Sequence, residues 1–198
     1  MTDQDELQGT KVEDIKKDAE ERHCPVQKSL YYIEKFLADS MCGKCFPCAY
    51  GTYEAKMRLR HIISGKGKEA DIAALKRIAD EMSEASRCKR GKYTARFLLE
   101  WMNNDSFNAH IEKRCPDREC LELIEYIIVP DKCIMCGECK TVCNYDAIIG
   151  EKMKPYLSGY LPFEIVQKRC TRCGDCINVC PTNAIELHDF IAEAEIVA

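Results

Sequence analysis

Residues 131–148 read DKCIMCGECKTVCNYDAI and residues 168–185 read KRCTRCGDCINVCPTNAI, so one pattern occurs twice in the chain. Each copy carries four cysteines at C-x-x-C-x-x-C-x-x-x-C spacing. A lone C-x-x-C pair also occurs in zinc knuckles and in redox-active dithiols, whereas two copies of the four-cysteine run are far more specific. The repeat therefore predicts a small cysteine-rich domain that holds two metal clusters.

The repeat resembles the bacterial two-cluster ferredoxins, in which the fourth cysteine of each run ligates the other cluster. The resemblance implies two 4Fe–4S clusters with exchanged ligands. Their ligand sets would be Cys133, Cys136, Cys139 and Cys180 for one cluster, and Cys170, Cys173, Cys176 and Cys143 for the other. Gly137 and Gly174 lie where the backbone would approach the clusters closely. Zinc is the weaker alternative, because the spacing suits cubanes better.

A second motif, SMCGKCFPCAYGT at residues 40–52, carries three cysteines at C-x-x-C-x-x-C spacing. It resembles the iron–sulfur motif in the flavin- and NADH-binding subunit of complex I, and in the equivalent subunits of electron-bifurcating hydrogenases and NAD-linked formate dehydrogenases. In that family a fourth cysteine follows farther along, and Cys88 lies 40 residues after Cys48. The resemblance thus implies a third 4Fe–4S cluster, with the ligands Cys42, Cys45, Cys48 and Cys88.

The chain departs from this family pattern in two ways. The family's arginine after the third cysteine is Ala49, and losing a cation beside the cluster predicts a lower reduction potential. Residues 1–40 contain one glycine, Gly9, and so are not expected to form Gly-rich flavin and nicotinamide sites. The resemblance covers roughly residues 24–188, and we expect a separate flavoprotein chain to supply the absent flavin/NADH domain.

Three of the 15 cysteines remain once twelve are assigned to clusters, namely Cys24, Cys115 and Cys120. The segment HIEKRCPDREC places His110 near the last two. Three cysteines and one histidine would complete a closed, tetrahedral structural zinc site. The rival interpretations are buried free cysteines beside an ordinary histidine, or a site that uses His23 instead of Cys24. The other two histidines, His61 and His188, are expected to be ordinary surface or core residues.

Composition argues against several classes of protein. The odd cysteine count, the tight spacings and the lack of an apolar signal-peptide core argue against a disulfide framework. No apolar stretch reaches the length of a membrane span, so we expect a cytoplasmic protein without membrane insertion. The formal net charge is −4, and no basic patch or DNA-binding helix pair stands out, which predicts no nucleic-acid partner.

The expected fold class is α+β, with a small helical bundle that holds one 4Fe–4S cluster followed by a ferredoxin-like domain that holds two. Apolar periodicity predicts four helices, within residues 26–41, 54–67, 69–85 and 94–113, the last interrupted near Asn103 and Asn104. The expected organisation is a charged, solvated and partly helical arm at 1–23, the bundle with the zinc site at 24–122, the two-cluster domain at 123–188 and a tail at 189–198.

No nucleophile–base set, phosphate loop or paired carboxylate stands out, so no catalytic residue is assigned and the clusters are expected to relay single electrons. The family resemblance implies a subunit of an oxidoreductase, including anaerobic, electron-bifurcating complexes. Its partners would be a flavoprotein subunit that binds FMN or FAD and NAD(P)H, and ferredoxin or another iron–sulfur subunit. The alternatives are a diffusible polyferredoxin and, with less support, a redox-sensing module.

Docking within a hetero-oligomer is favoured because a diffusible carrier has little need for four extra helices, an acidic arm and a zinc site. Bound clusters would bring the net charge to about −10, so we expect docking to basic partner surfaces to depend on salt. Aromatic side chains near the first motif form either a docking face or packing around it. They are Tyr31, Tyr32, Phe36, Phe46, Tyr50 and Tyr53.

Overall fold

The computed structural model describes residues 10–153 and 161–189 of the chain. The chain divides into two compact units after Leu123. The described part of the first is helical, and that of the second contains two-stranded antiparallel sheets with short helices. This confirms the predicted mixture of helices and small sheets. Among the described residues, no helix has both the length and the apolar character needed to span a bilayer.

The first unit contains the four predicted helices and divides the last of them in two. Its helices are α1 (Val12–Glu20), α2 (Pro25–Lys35), α3 (Phe46–Ile63), α4 (Glu69–Ala85), α5 (Lys89–Met102) and α6 (Ser106–Ile111). A π-helical turn, Phe36–Ser40, continues α2 towards the first cysteine motif. The helix break at Asn103–Asn104 separates α5 from α6, as the sequence predicts. Helices α2, α3, α4 and α5 pack side by side around an aliphatic core.

Helix α1 lies in the segment that was expected to be a solvated and partly helical arm. The helix is confirmed, but for one of its faces the expected solvation was wrong. Val12, Ile15 and Ala19 lie on one face of the helix, and Ile15 and Ala19 are only 1% and 0% exposed. They join a core cluster with Phe36 and Phe97. The apolar positions are few and stand among acidic residues, so the charge of the segment concealed its amphipathic pattern.

The first turn of helix α4 contains a buried carboxylate, that of Asp71, which accepts two strong hydrogen bonds. Asp71 accepts the backbone N–H of Lys68 at 2.9 Å and the Arg58 guanidinium at 2.7 Å, and it is 6% exposed. Burial alone would raise the pKa of Asp71, but these two donors outweigh it and hold the pKa below its usual value. The cap therefore joins the start of α4 to α3, the helix that follows the first cysteine motif.

Replacing Asp71 by alanine is expected to lower the free energy of unfolding by about 2 kcal/mol, because a helix cap and a charge-assisted hydrogen bond are lost together. Glu69→Ala removes an exposed carboxylate from the same helical turn and should cost less than about 0.5 kcal/mol. Denaturant unfolding of both variants measures the difference. Equal losses would show that charge near the helix start matters and the specific cap does not.

The second unit contains the cysteine repeat. Its elements are β1 (Ile124–Ile128), α7 (Glu138–Val142), β2 (Ile148–Ile149), β3 (Glu164–Ile165), α8 (Asp175–Asn178) and β4 (Ile185–Asp189). Strand β1 precedes the first run and pairs antiparallel with β4, which follows the second run, so that Ile128 lies opposite Ile185. The short strands β2 and β3 form the other sheet. These pairings bring the beginning and end of the repeat together.

The two copies of the repeat share their unusual backbone conformations. Gly137 and Gly174, which directly precede α7 and α8, have φ values of 82° and 84°. The residues two positions before these glycines, Met135 and Arg172, have φ values of 54° and 58°. Such left-handed conformations are uncommon for residues other than glycine, so their recurrence shows that both runs turn in the same way around their cysteines.

Candidate metal centres

Three cavities in the structure are each lined by four cysteines. The first is lined by Cys42, Cys45, Cys48 and Cys88, the second by Cys133, Cys136, Cys139 and Cys180, and the third by Cys143, Cys170, Cys173 and Cys176. The structure thus brings together the residues of each expected ligand set, with Cys143 and Cys180 exchanged between the runs. All these cysteines are free of disulfides.

The first cavity lies where two helices begin. Cys45 directly precedes α3, Cys48 lies in the first turn of α3, and Cys88 directly precedes α5. The N-terminal end of a helix carries unpaired N–H groups and partial positive charge, which favours thiolates nearby. Burial, followed by the negative charge of Cys45, raises the pKa of the Cys48 thiol to about 11. A metal core in the cavity would offset that cost by binding the thiolate directly.

Two cations also line the first cavity, and the sequence interpretation missed both. Lys44 lies between the first two cysteines of the motif, and Arg90 approaches from α5. Arg90 Nη1 donates to the backbone carbonyl of Ser40 at 3.4 Å. Because Lys44 and Arg90 place positive charge beside the cavity, the absence of a cation at Ala49 does not by itself predict a lower potential. The basic pair Lys89-Arg90, directly after Cys88, was the available signal in the sequence.

A buried hydroxyl that lacks a partner lies close to Cys48, one of the cysteines that line the first cavity. Ser86 is 3% exposed, and its Oγ has no hydrogen-bond partner among the described residues. A Cβ placed on Gly91 would lie 2.8 Å from Ser86 Oγ and 3.2 Å from Cys48 Sγ, so all three groups are close. Buried donors normally find acceptors, and a sulfur-rich group in the cavity would supply one. The residues present therefore fit an iron–sulfur cluster.

The second and third cavities place buried thiols on the two short helices. Burial raises the pKa of Cys139 on α7 and, with the charges of neighbouring cysteines, raises the pKa of Cys176 on α8 to about 11. Cys180 behaves differently. Burial alone would raise its pKa, but backbone N–H groups, including that of Ala184 at 3.2 Å from Sγ, hold the pKa below its usual value. Such N–H···S hydrogen bonds are a principal means of tuning cluster potentials.

A fourth group brings together the remaining three cysteines and one histidine. Cys24, His110, Cys115 and Cys120 are all buried, and their ligand atoms lie within 4.8 Å of one another. His110 Nε2 lies 3.4 Å from Cys24 Sγ and 3.2 Å from Cys120 Sγ, and the two sulfurs are 3.8 Å apart. Tetrahedral zinc, with bonds of about 2.3 Å to sulfur and 2.0 Å to nitrogen, separates its ligands by about 3.5–3.8 Å. These distances suit such an ion.

Neighbouring groups orient the ligands of this Cys₃His cluster. His110 Nδ1 donates to the Ser106 carbonyl at 2.5 Å, which directs Nε2 to the sulfurs. Glu119 accepts the backbone N–H groups of His23 and Cys24, each at 2.8 Å, and so ties the start of α2 beside Cys120. Burial alone would lower the pKa of His110, but hydrogen bonds with Cys115 and Cys24 outweigh it and raise the pKa to about 10.

The other histidines lie outside this cluster. His23 is exposed, so the structure favours Cys24 over His23 as the fourth member. His61 is exposed and His188 is half-buried, and neither belongs to a cluster of potential metal ligands among the described residues.

The aromatic residues near the first motif divide between core and surface. Tyr32 and Phe36 are buried and form part of the core. Phe46, Tyr50 and Tyr53 lie on α3 and are 75%, 58% and 56% exposed, with the rings of Phe46 and Tyr50 stacked at 5.2 Å. The packing interpretation is therefore confirmed for Tyr32 and Phe36, with Tyr31 partly buried against the same core. A docking role for the three exposed rings stays a prediction.

Comparison with known protein families identifies two domains. Residues 28–114 match the NADH-ubiquinone oxidoreductase-F iron-sulfur binding region, and residues 127–187 match a 4Fe-4S dicluster domain. Both matches agree with the resemblances inferred from the cysteine motifs, and they confirm them.

Similar proteins are subunits of redox enzymes. The NADP-reducing hydrogenase subunit HndC of Solidesulfovibrio fructosivorans is 33% identical over 140 residues, which are 69% of this chain and 28% of HndC. The F subunit of the NADH-quinone oxidoreductase of Streptomyces coelicolor is 35% identical over 100 residues, 49% of this chain and 22% of that protein. The NADP(+)-dependent formate dehydrogenase subunit beta of Moorella thermoacetica is 32% identical over 62 residues, 31% of this chain and 9% of the relative.

The chain spans less than a third of the length of each of these relatives. Its matched residues include all four cysteines of the first cavity and all eight of the other two. The chain therefore combines a segment that matches the NADH-ubiquinone oxidoreductase-F iron–sulfur binding region with a following segment that matches a 4Fe–4S dicluster domain.

Proposed function

We propose that this chain is an electron-transfer subunit that relays single electrons between a flavoprotein handling NAD(P)H and ferredoxin or another redox subunit. The observation that carries the proposal is the set of three cavities, each lined by four cysteines. When bound there, 4Fe–4S clusters supply one-electron chemistry at low potential. The cysteines lining the cavities would hold the clusters, and backbone N–H groups such as that of Ala184 would donate hydrogen bonds to sulfur.

The names of the relatives support a nicotinamide-linked complex. They describe subunits of an NADP-reducing hydrogenase, of an NADH-quinone oxidoreductase and of an NADP(+)-dependent formate dehydrogenase. The part of this chain that matches them belongs to the iron–sulfur region, so the proposal assigns flavin and NAD(P)H to a partner chain. Electron bifurcation in an anaerobic complex would be a property of that partner's flavin.

The proposal assigns one cluster to the first unit and two to the second, in a ferredoxin-like arrangement. It follows the expected division, with the bundle at residues 24–122 and the two-cluster domain at 123–188. The Cys₃His cluster is proposed to hold one structural zinc ion, because its distances and burial suit tetrahedral zinc. This ion would connect the start of α2 to the segment after α6, and it would have no part in electron transfer.

Purification under anaerobic conditions from the native host tests the proposed function. The expected result is co-elution, in stoichiometric amount, of a protein that contains flavin and binds NAD(P)H. The rival function is a diffusible polyferredoxin, and a chain that elutes alone with about 12 iron atoms, from three cubanes, would favour it. A chain that contains no iron would contradict both functions.

The cations in the first cavity predict a measurable effect on potential. Arg90→Gln is expected to lower the midpoint potential of the first cluster by roughly 40 mV, because a cation worth about 1 kcal/mol no longer stabilises the more negative reduced state. Redox titration followed by electron paramagnetic resonance measures the shift. Lys66→Gln removes an exposed charge from the loop beyond the far end of α3 and should leave the potential unchanged. A shift of similar size in both variants would contradict a local role for Arg90.

A further inference from the structure

Five cations lie in the two chain segments that carry the cysteines of the first cavity. Lys44 lies in the cysteine motif, and the other four flank the fourth cysteine in the stretch RCKRGK at residues 87–92. The group consists of Lys44, Arg87, Lys89, Arg90 and Lys92 and is termed the Cys88 basic face. Lys44, Arg87 and Lys89 are exposed, and the other two are half-buried.

The cations of the Cys88 basic face are not neutralised by the fold. Within residues 10–153 and 161–189, none of the five forms an ion pair with a carboxylate, although Arg58 and Arg60 on the neighbouring helix α3 both do. Lys89, Arg90 and Lys92 also occupy the beginning of α5, where no acidic residue is present. Positive charge at that end opposes the helix dipole and costs stability. Charge at these positions therefore does not stabilise α5, and among the described residues only Arg90 of the five donates a side-chain hydrogen bond, to the Ser40 carbonyl.

The five cations of the Cys88 basic face fall into two groups, those that line the cavity and those that do not. Lys44 and Arg90 line the cavity, so their charge acts on the four thiols. Arg87, Lys89 and Lys92 do not line it, so the thiols of the cavity do not account for their charge. Two exposed cations, Arg87 and Lys89, are thus directed to solvent on either side of Cys88 in the sequence.

The same side of the cavity is its most accessible side. Cys42 and Cys88 are partly exposed, whereas Cys45 and Cys48 are buried. An external redox group would come closest to the cavity beside Cys42 and Cys88, where the cations lie. Sequence composition concealed this feature, since the formal charge of the whole chain is −4 and the basic stretch is only a few residues long.

We infer that the Cys88 basic face is the docking site of a small acidic electron-carrier protein. The partner's chemistry follows from charge complementarity, because unpaired cations around an exposed redox site attract an acidic surface and hold it in register. The inference rests on the proposed function in naming an electron carrier as the partner. It also differs from the expectation based on net charge, which pointed to basic partners.

Binding of oxidised flavodoxin, an acidic carrier, to the full iron-loaded chain tests the inference by titration calorimetry at low and high salt. We expect affinity to fall with salt, and Arg87→Glu/Lys89→Glu to weaken low-salt binding at least about tenfold. Lys66→Glu/Lys76→Glu makes the same change in charge at exposed positions away from the face. That control should bind nearly as well as the unaltered chain. Arg87→Gln/Lys89→Gln should show a smaller loss than the glutamate variant.

Three outcomes would overturn the inference. Equal losses in the face and control variants would show that only total charge matters. Unchanged affinity in the face variants would show that the Cys88 basic face is not the docking site. A changed potential of the first cluster with unchanged affinity would show that Arg87 and Lys89 influence the cluster and do not bind the partner. Purification of the chain without a partner would contradict the proposed subunit role only. The affinity for flavodoxin would still show whether the Cys88 basic face is a docking site.

Discussion

Replacing Cys133 and Cys180 together by alanine is expected to leave one intact cubane in the dicluster domain, whereas replacing Cys133 and Cys143 together should leave none. In the structure, Cys180 lines the same cavity as Cys133, and Cys143 lines the other one. The first pair therefore removes two ligands from a single cluster, and the second pair removes one ligand from each. Both variants lose two cysteines, so each is the matched control of the other.

Iron and sulfide analysis, with electron paramagnetic resonance of the reduced proteins, measures the number of intact cubanes. Counting the first cavity as well, the Cys133/Cys180 variant should retain about eight iron atoms in intact cubanes and the Cys133/Cys143 variant about four. The reverse order would show that each run binds its own cluster without exchange. Identical values would contradict the grouping of these cysteines in the structure.

Replacing Cys115 by serine is expected to remove zinc from the chain and to leave its iron content unchanged. Cys115 is 1% exposed and belongs to the Cys₃His cluster, which is built entirely within the first unit. Removing one thiolate leaves an incomplete tetrahedral site, and structural zinc binding is coupled directly to folding. A loss of about 3–4 kcal/mol would lower the midpoint of thermal unfolding by about 10 °C.

Metal analysis and thermal unfolding of the same preparation separate this effect from simple damage to the core. His61→Gln changes an exposed histidine on α3 and should retain full zinc content and stability. Lower stability with unchanged zinc would show that Cys115 acts only through packing. Unchanged zinc would therefore refute the assignment of this residue as a ligand.

The helices and the cysteine groups could be predicted because their signals are local. Spacing within each run restricts which cysteines can surround one cluster, and apolar periodicity outlines the four helices of the bundle. The exchange of Cys143 and Cys180 required the ferredoxin resemblance, since spacing within a run contains no information about pairing between runs. The structure reproduces that grouping of the side chains.

The Cys₃His cluster was difficult to predict from the sequence. Its members come from the start of α2, from α6 and from the segment after it, so only counting the unused cysteines suggested them. The choice between Cys24 and His23 depends on which adjacent residue faces inward. Glu119 determines this by accepting hydrogen bonds from both backbone N–H groups. Glu119 is 95 positions along the chain from Cys24 and 96 from His23, so the sequence does not reveal this contact.

Other features depended on tertiary packing and were missed. The inward face of α1 was hidden by the acidic residues around Ile15 and Ala19. Arg90 reaches the first cavity because the start of α5 lies beside the first cysteine motif, which itself carries Lys44, and neither segment reveals this arrangement alone. A summed charge of −4 likewise gives no indication that cations gather around Cys88.

Native mass spectrometry of the anaerobically purified chain tests the central claim most directly, because one spectrum reports both iron–sulfur clusters and zinc. We expect a mass equal to the polypeptide plus three 4Fe–4S clusters and one zinc ion. A dominant species with fewer than three cubanes, or with zinc in place of iron at the four-cysteine cavities, would contradict the assignment of those cavities to an electron relay.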